Sequence, residues 1–166
     1  MKKFAVILAL CSAPLASEAR KPGAAPPVTS LAMEQFECFW GTCPHYRVSI
    51  DKSGSVTYVG IAAVETEGVV QLQIPQSAFD KISQEIARIR YFDLRAKYAS
   101  KADGCKEIVS DQSSVKFIVT RGDEKKEVIL YYGCRTRKIT SRLAGLADLV
   151  DNVTGIGPLL GRGDAP

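Results

Sequence analysis

The sequence predicts an α+β domain: an antiparallel sheet of about five strands, in the order β-β-β-α-β-β-α, with two helices packed on one face. Two observations carry that prediction. Two pairs of alternating apolar runs are each folded back by a short turn containing glycine, and an apolar stripe of helical period follows each pair. Four cysteines, Cys38, Cys43, Cys105 and Cys134, fall around these segments, which is the usage of a chain that matures where thiols oxidise.

The N-terminus reads as an export signal. Lys2 and Lys3 are a basic start, Phe4 to Cys11 is apolar, and Ser17-Glu18-Ala19 puts small residues where a signal peptidase reads them. Residues 1–19 are therefore expected to be a signal peptide, and the mature chain periplasmic or extracellular. The apolar run is far shorter than the ~20 residues of a membrane-spanning helix, so no integral membrane segment is expected after cleavage. Lipidation at Cys11 would require a small residue before it, and Leu10 is not small. Residues 20–36 are expected to be a flexible Pro/Ala-rich lead-in, residues 37–157 the single folded domain, and residues 158–166 a disordered tail.

Within the domain, Tyr46, Val48 and Ile50 alternate with polar neighbours as a half-buried strand does. Asp51-Lys52-Ser53-Gly54 has turn chemistry, and Val56, Tyr58 and Gly60 return as the second arm of a hairpin. Val69 to Ile74 makes a third strand. Pro75 ends it and can open a helix, because its missing N–H falls in the first turn. Phe79, Ile82, Ile86 and Ile89 then form one apolar stripe, with Asp80, Lys81, Gln84, Glu85 and Arg88 on other faces. After a polar connection over residues 99–114, Val115, Phe117 and Val119 alternate, Arg121-Gly122-Asp123-Glu124 turns, and Val128, Leu130 and Tyr132 return. Ile139, Leu143, Leu146, Val150 and Val153 give the last helix, with Gly155 and Gly157 where it should stop.

A net charge of +4 over 166 residues is mild, and the positive residues are dispersed or balanced by nearby acids. Nucleic-acid binding asks for a concentrated basic stripe with aromatic platforms, and none is present, so no nucleic-acid partner is expected. Four cysteines allow three pairings. The ends of the second hairpin bring Cys105 and Cys134 together, and Gly41 makes a local Cys38–Cys43 bridge feasible. Zinc would have His45 available beside Cys43, but the spacing matches no usual zinc pattern, so no metal and no cofactor is expected.

The run from Cys38 to Ile50 (CFWGTCPHYRVSI), then Gly54, Val56, Tyr58 and Gly60, and later Tyr131-Tyr132-Gly133-Cys134 before an amphipathic helix, resembles exported bacterial proteins grouped as domain of unknown function 6438. The resemblance covers about Cys38 to Gly155. It implies a small exported domain of paired strands and two helices with no assigned activity, so no catalytic residue is carried over from it. One residue more than the family's usual spacing separates Cys38 from Cys43, near Trp40, which leaves their local pairing open.

The remaining motifs weigh little. His45 is the sole histidine, and Arg121-Gly122-Asp123 is what a hairpin turn selects on backbone grounds. Arg162-Gly163-Asp164 falls in the tail, and the Asn152 sequon falls inside the last helix. Glu65 and Glu67 read as exposed strand charges that solvate an edge. Phe39, Trp40, Tyr46 and Tyr58 are the one aromatic concentration and the candidate partner-binding residues, set against a packing role for Tyr46 and Tyr58 across the hairpin. The expectation is a non-enzymatic exported domain binding a protein or cell-envelope component. The alternatives are an envelope hydrolase or transferase using His45 with Asp93 or Asp111, and a structural accessory module.

Overall fold

The computed structural model describes residues 25–36, 38, 42–136 and 138–161; the expected signal peptide, Phe39 and Trp40 lie outside them. The elements are β1 (Val28–Phe36), β2 (His45–Asp51), β3 (Ser55–Ala62), β4 (Gly68–Gln73), α1 (Gln76–Arg88), β5 (Lys97–Tyr98), β6 (Glu107–Ile108), β7 (Ser114–Arg121), β8 (Glu124–Tyr131), β9 (Cys134–Arg135) and α2 (Ile139–Thr154). Seven strands form one sheet in the order β4-β3-β2-β1-β7-β8-β5, and β6 pairs with β9 in a small second sheet. Every pair in the large sheet is antiparallel except β5 with β8. The α+β class is as expected, and the strand count is larger.

Register explains the single buried face. Met33 stands opposite Val48 on β2 and opposite Phe117 on β7, Val48 opposite Tyr58, and Phe117 opposite Val128. Because side chains alternate along each strand, this one row fixes the inner face of all five strands. Leu31, Ile50, Val56, Val115, Val119 and Leu130 fill the same face. Both helices close over it with Phe79, Ile82, Ile86 and Ile89 from the α1 region and Leu143, Leu146 and Val150 from α2, all in one core.

The lead-in is corrected by β1. Residues 28–36 are not flexible but form a strand between β2 and β7, joining the two hairpins into one sheet. Leu31 and Met33 are its buried residues, and they supply the apolar area that orders it. The tail is corrected too: Pro158–Leu160 form a 3-10 turn with Leu160 buried. Its Leu159 carbonyl accepts from the Thr66 backbone N–H.

Both disulfides join the pairs expected. Cys38 bonds Cys43 and Cys105 bonds Cys134, with Cα separations of 5.7 and 5.2 Å. The second sits where β6 meets β9, with Ile108 opposite Cys134, and ties the long connection after β5 to the exit of β8. Among the described residues no helix is long and apolar enough to cross a membrane.

Candidate functional site

Helix α1 covers the core with one face and leaves Gln76, Asp80, Ser83, Gln84 and Ala87 along another. Arg90, at φ 55°, turns the chain sharply at its end, and a 3-10 turn follows at Tyr91–Asp93. That turn splits two aromatic neighbours. Tyr91 goes into the core, where its hydroxyl donates to the Phe117 carbonyl at 3.0 Å. Burial, and secondarily the charge of Glu127, pushes that hydroxyl's pKa well up, so it stays a neutral donor. Phe92 faces outward, and the Arg121 guanidinium stacks over its ring at 3.7 Å. The Lys126 ammonium donates to the Phe92 carbonyl at 2.6 Å and pins the turn to β8.

Between this turn, α1 and the segment entering β1 lies an open groove of about 770 Å³. Phe79, Ile86 and Phe92 make its apolar floor with Val28, and Pro26 and Pro27 stand opposite the helix. Charge sits on the rim. Arg90 pairs with Asp93 at 2.7 Å and Arg121 with Glu124 at 2.8 Å, while Lys52 is in no ion pair among the described residues. Lys52 is held beside the groove because its backbone N–H donates to the Thr29 carbonyl.

A second polar centre lies on the face of the sheet away from the helices. Glu34, mid-sheet on β1, accepts from Arg47 at 2.8 Å and Lys116 at 2.6 Å, and its side chain is 12 % exposed. Burial alone would raise its pKa. Hydrogen bonds and charge from Lys116 and Arg47 outweigh that and bring it down to about 2. His45 Nε2 stands 3.6 Å from the same carboxylate, buried and without a hydrogen-bond partner among the described residues.

These placements revise the expected sites. Tyr46 and Tyr58 are core residues, 1 % and 0 % exposed, with their rings stacked 6.2 Å apart. They cannot meet a partner, because alternation along β2 and β3 turns both toward the helices. The Tyr58 hydroxyl donates to the Thr66 carbonyl. The carboxylate beside His45 is Glu34, whereas Asp93 is bound to Arg90 and Asp111 accepts from Ser110 Oγ. Glu65 and Glu67 lie on the loop between β3 and β4, not on a strand. Among the described residues no three His, Cys, Asp or Glu side chains gather as a metal site would require. The groove is not legible in the sequence because its walls come from four separated stretches of chain. The one legible signal was the Tyr91-Phe92 pair just after the α1 stripe.

The fold and these centres define a small disulfide-stabilised α+β domain whose two helices cover one face of the sheet. The chain belongs to the family described as Domain of unknown function (DUF6438), whose model matches residues 29–154, from β1 to the last residue of α2. No curated protein matches the chain.

Proposed function

We propose that this chain is an exported, non-enzymatic binding module that holds a cell-envelope ligand with an apolar body and an anionic end in the groove beside α1. The groove carries the reading. Its volume of about 770 Å³ falls within the ~300–1,000 Å³ of small-ligand sites, and its aromatic floor with a few charges at the rim is their usual lining. Lys52 and Arg121 supply the positive charge for the anionic end. The two disulfides fit an oxidising compartment and support export.

The hydrolase alternative has weaker support. A general base needs an affinity for protons near the working pH, and Glu34 at about 2 is held far below it by two cations. The Nε2 atom of His45 is buried rather than turned toward a substrate.

Titration with anilinonaphthalene sulfonate, followed by competition with laurate, tests the site. Ala87 is exposed on α1 and lines the groove, so Ala87→Trp fills it at the small cost of a helix-surface change. The wild type should bind the probe and release it to laurate, and Ala87→Trp should lose binding at least tenfold with its melting temperature kept. Probe binding indifferent to Ala87→Trp would overturn the reading. Intact mass of the exported protein tests the compartment: the chain should begin at Arg20, and a chain retaining Met1 sinks that part.

A further inference from the structure

We infer that two copies of this chain pair through their β4 strands, antiparallel about Gln71, to make one continuous sheet. β4 is an edge of the seven-stranded sheet, and its residues Gly68–Gln73 carry no charge, no proline and no bulge. Edges in monomeric proteins are commonly blunted by such devices, and their absence leaves a template for another strand.

The backbone shows which groups that template offers. Antiparallel pairs alternate between residues that bond each other and residues whose N–H and C=O point away. The Ile74 N–H donates to the Gly54 carbonyl, so bonded pairs continue inward as Leu72 with Val56 and Val70 with Tyr58. Val69, Gln71 and Gln73, opposite Val59, Thr57 and Ser55, therefore turn their main-chain donors and acceptors outward. A two-fold axis at Gln71 matches Gln71 with its own copy, Val69 with Gln73 and Gln73 with Val69. All three outward sets are then satisfied, and Pro75, which has no N–H, lies just past the paired stretch.

A second copy fits this edge because symmetry is demanding at its centre. Any charge at position 71 would meet itself across the axis, and an uncharged Gln does not. Val69, 66 % exposed, and its neighbour Ile61 make an apolar shelf beside the edge. Pairing at this register brings the copy's Gln73 side chain over Val69 and shields it.

Sedimentation velocity of the full disulfide-bonded chain, over loadings from ~1 to ~500 μM, decides the matter. The wild type should approach twice the monomer mass as concentration rises. Gln71→Pro removes only an outward N–H, and the bond from Thr57 Oγ1 to the Gln71 side chain is at the exposed surface. That variant should stay monomeric with an unchanged melting temperature. Gln71→Lys keeps the test decisive if proline disturbs the strand. Like charges across the axis should weaken its dimer at least tenfold at low salt, and high salt should restore it. A wild type monomeric throughout, or a dimer that survives both substitutions, would overturn the proposal.

Discussion

The hydroxyl of Tyr46 donates into the carboxylate of Asp151 at 2.9 and 2.8 Å to its two oxygens, joining the second strand to the last turn of α2 inside the core. The residues are 1 % and 8 % exposed. A carboxylate near a helix C-terminus faces the negative end of the helix dipole, so Asp151 depends on donors brought from the sheet. Tyr46→Phe removes one and leaves the core shape intact. It should cost about 2 kcal/mol by denaturant unfolding, the range for a hydrogen bond to a charged group. With Asp151→Asn added, the double variant should cost at least about 1 kcal/mol less than the two single losses together. Simple additivity would show that the contact contributes nothing of its own.

Glu34 makes stability depend on acid. Its pKa falls from an ordinary 4.5 to about 2 in the folded chain, so the folded state binds its proton less readily than the unfolded state. The contribution is fully present above pH 4.5 and is lost as pH falls through 2. Arg47 is 48 % exposed on its side chain, so solvent screening reduces the effect to about 1–2 kcal/mol. Glu34→Gln should lose that much at pH 7. The gap to the wild type should close between pH 4.5 and 2, followed by thermal melts across that range. A gap constant with pH would mean that the ion pairs are not its source.

Much of the fold was legible because its signals are local. The alternation at Tyr46, Val48 and Ile50, and the stripe at Phe79, Ile82, Ile86 and Ile89, each report their own burial. β1 was not legible. Only Leu31 and Met33 of its nine residues are buried, too few to set a period just after Pro26-Pro27, and both its partners are remote or reached through the Cys38–Cys43 loop. β5, β6 and β9 are two residues each, too short for any period. Glu34 acquires its role only through Arg47 and Lys116, which the registers with β2 and β7 place beside it.

The Cys105–Cys134 bridge closes a span of 29 residues, which by loop entropy stabilises the fold by roughly 3–4 kcal/mol. Cys38–Cys43, with a separation of 5, contributes about 2 kcal/mol on the same basis. Replacing Cys105 and Cys134 together by alanine should therefore lower the unfolding free energy more than replacing Cys38 and Cys43. Equal losses, or the reverse order, would show that native packing around the bridges outweighs chain entropy.

Two glycines should respond to the same substitution with opposite signs. Gly60 sits on β3 where the carbonyl of Thr66 crosses close to it, and an added Cβ would collide with that oxygen and lie 2.8 Å from the Tyr58 hydroxyl. This is the hydroxyl that donates to Thr66 at 3.1 Å and reaches the Leu159 carbonyl at 3.4 Å. Gly60→Ala must therefore push away the loop and the C-terminal turn together, at a cost of about 1–3 kcal/mol as overpacking goes. Gly145 lies exposed within α2 with nothing within 4 Å of an added Cβ. There alanine meets no clash and restores helix propensity, so Gly145→Ala should stabilise by up to about 1 kcal/mol. Melting temperatures of the two variants check the pair. A neutral Gly60→Ala would mean that the loop can move aside without loosening the Tyr58 bond, and the exchange protection of the Thr66 and Leu160 amides would then stay at its wild-type level.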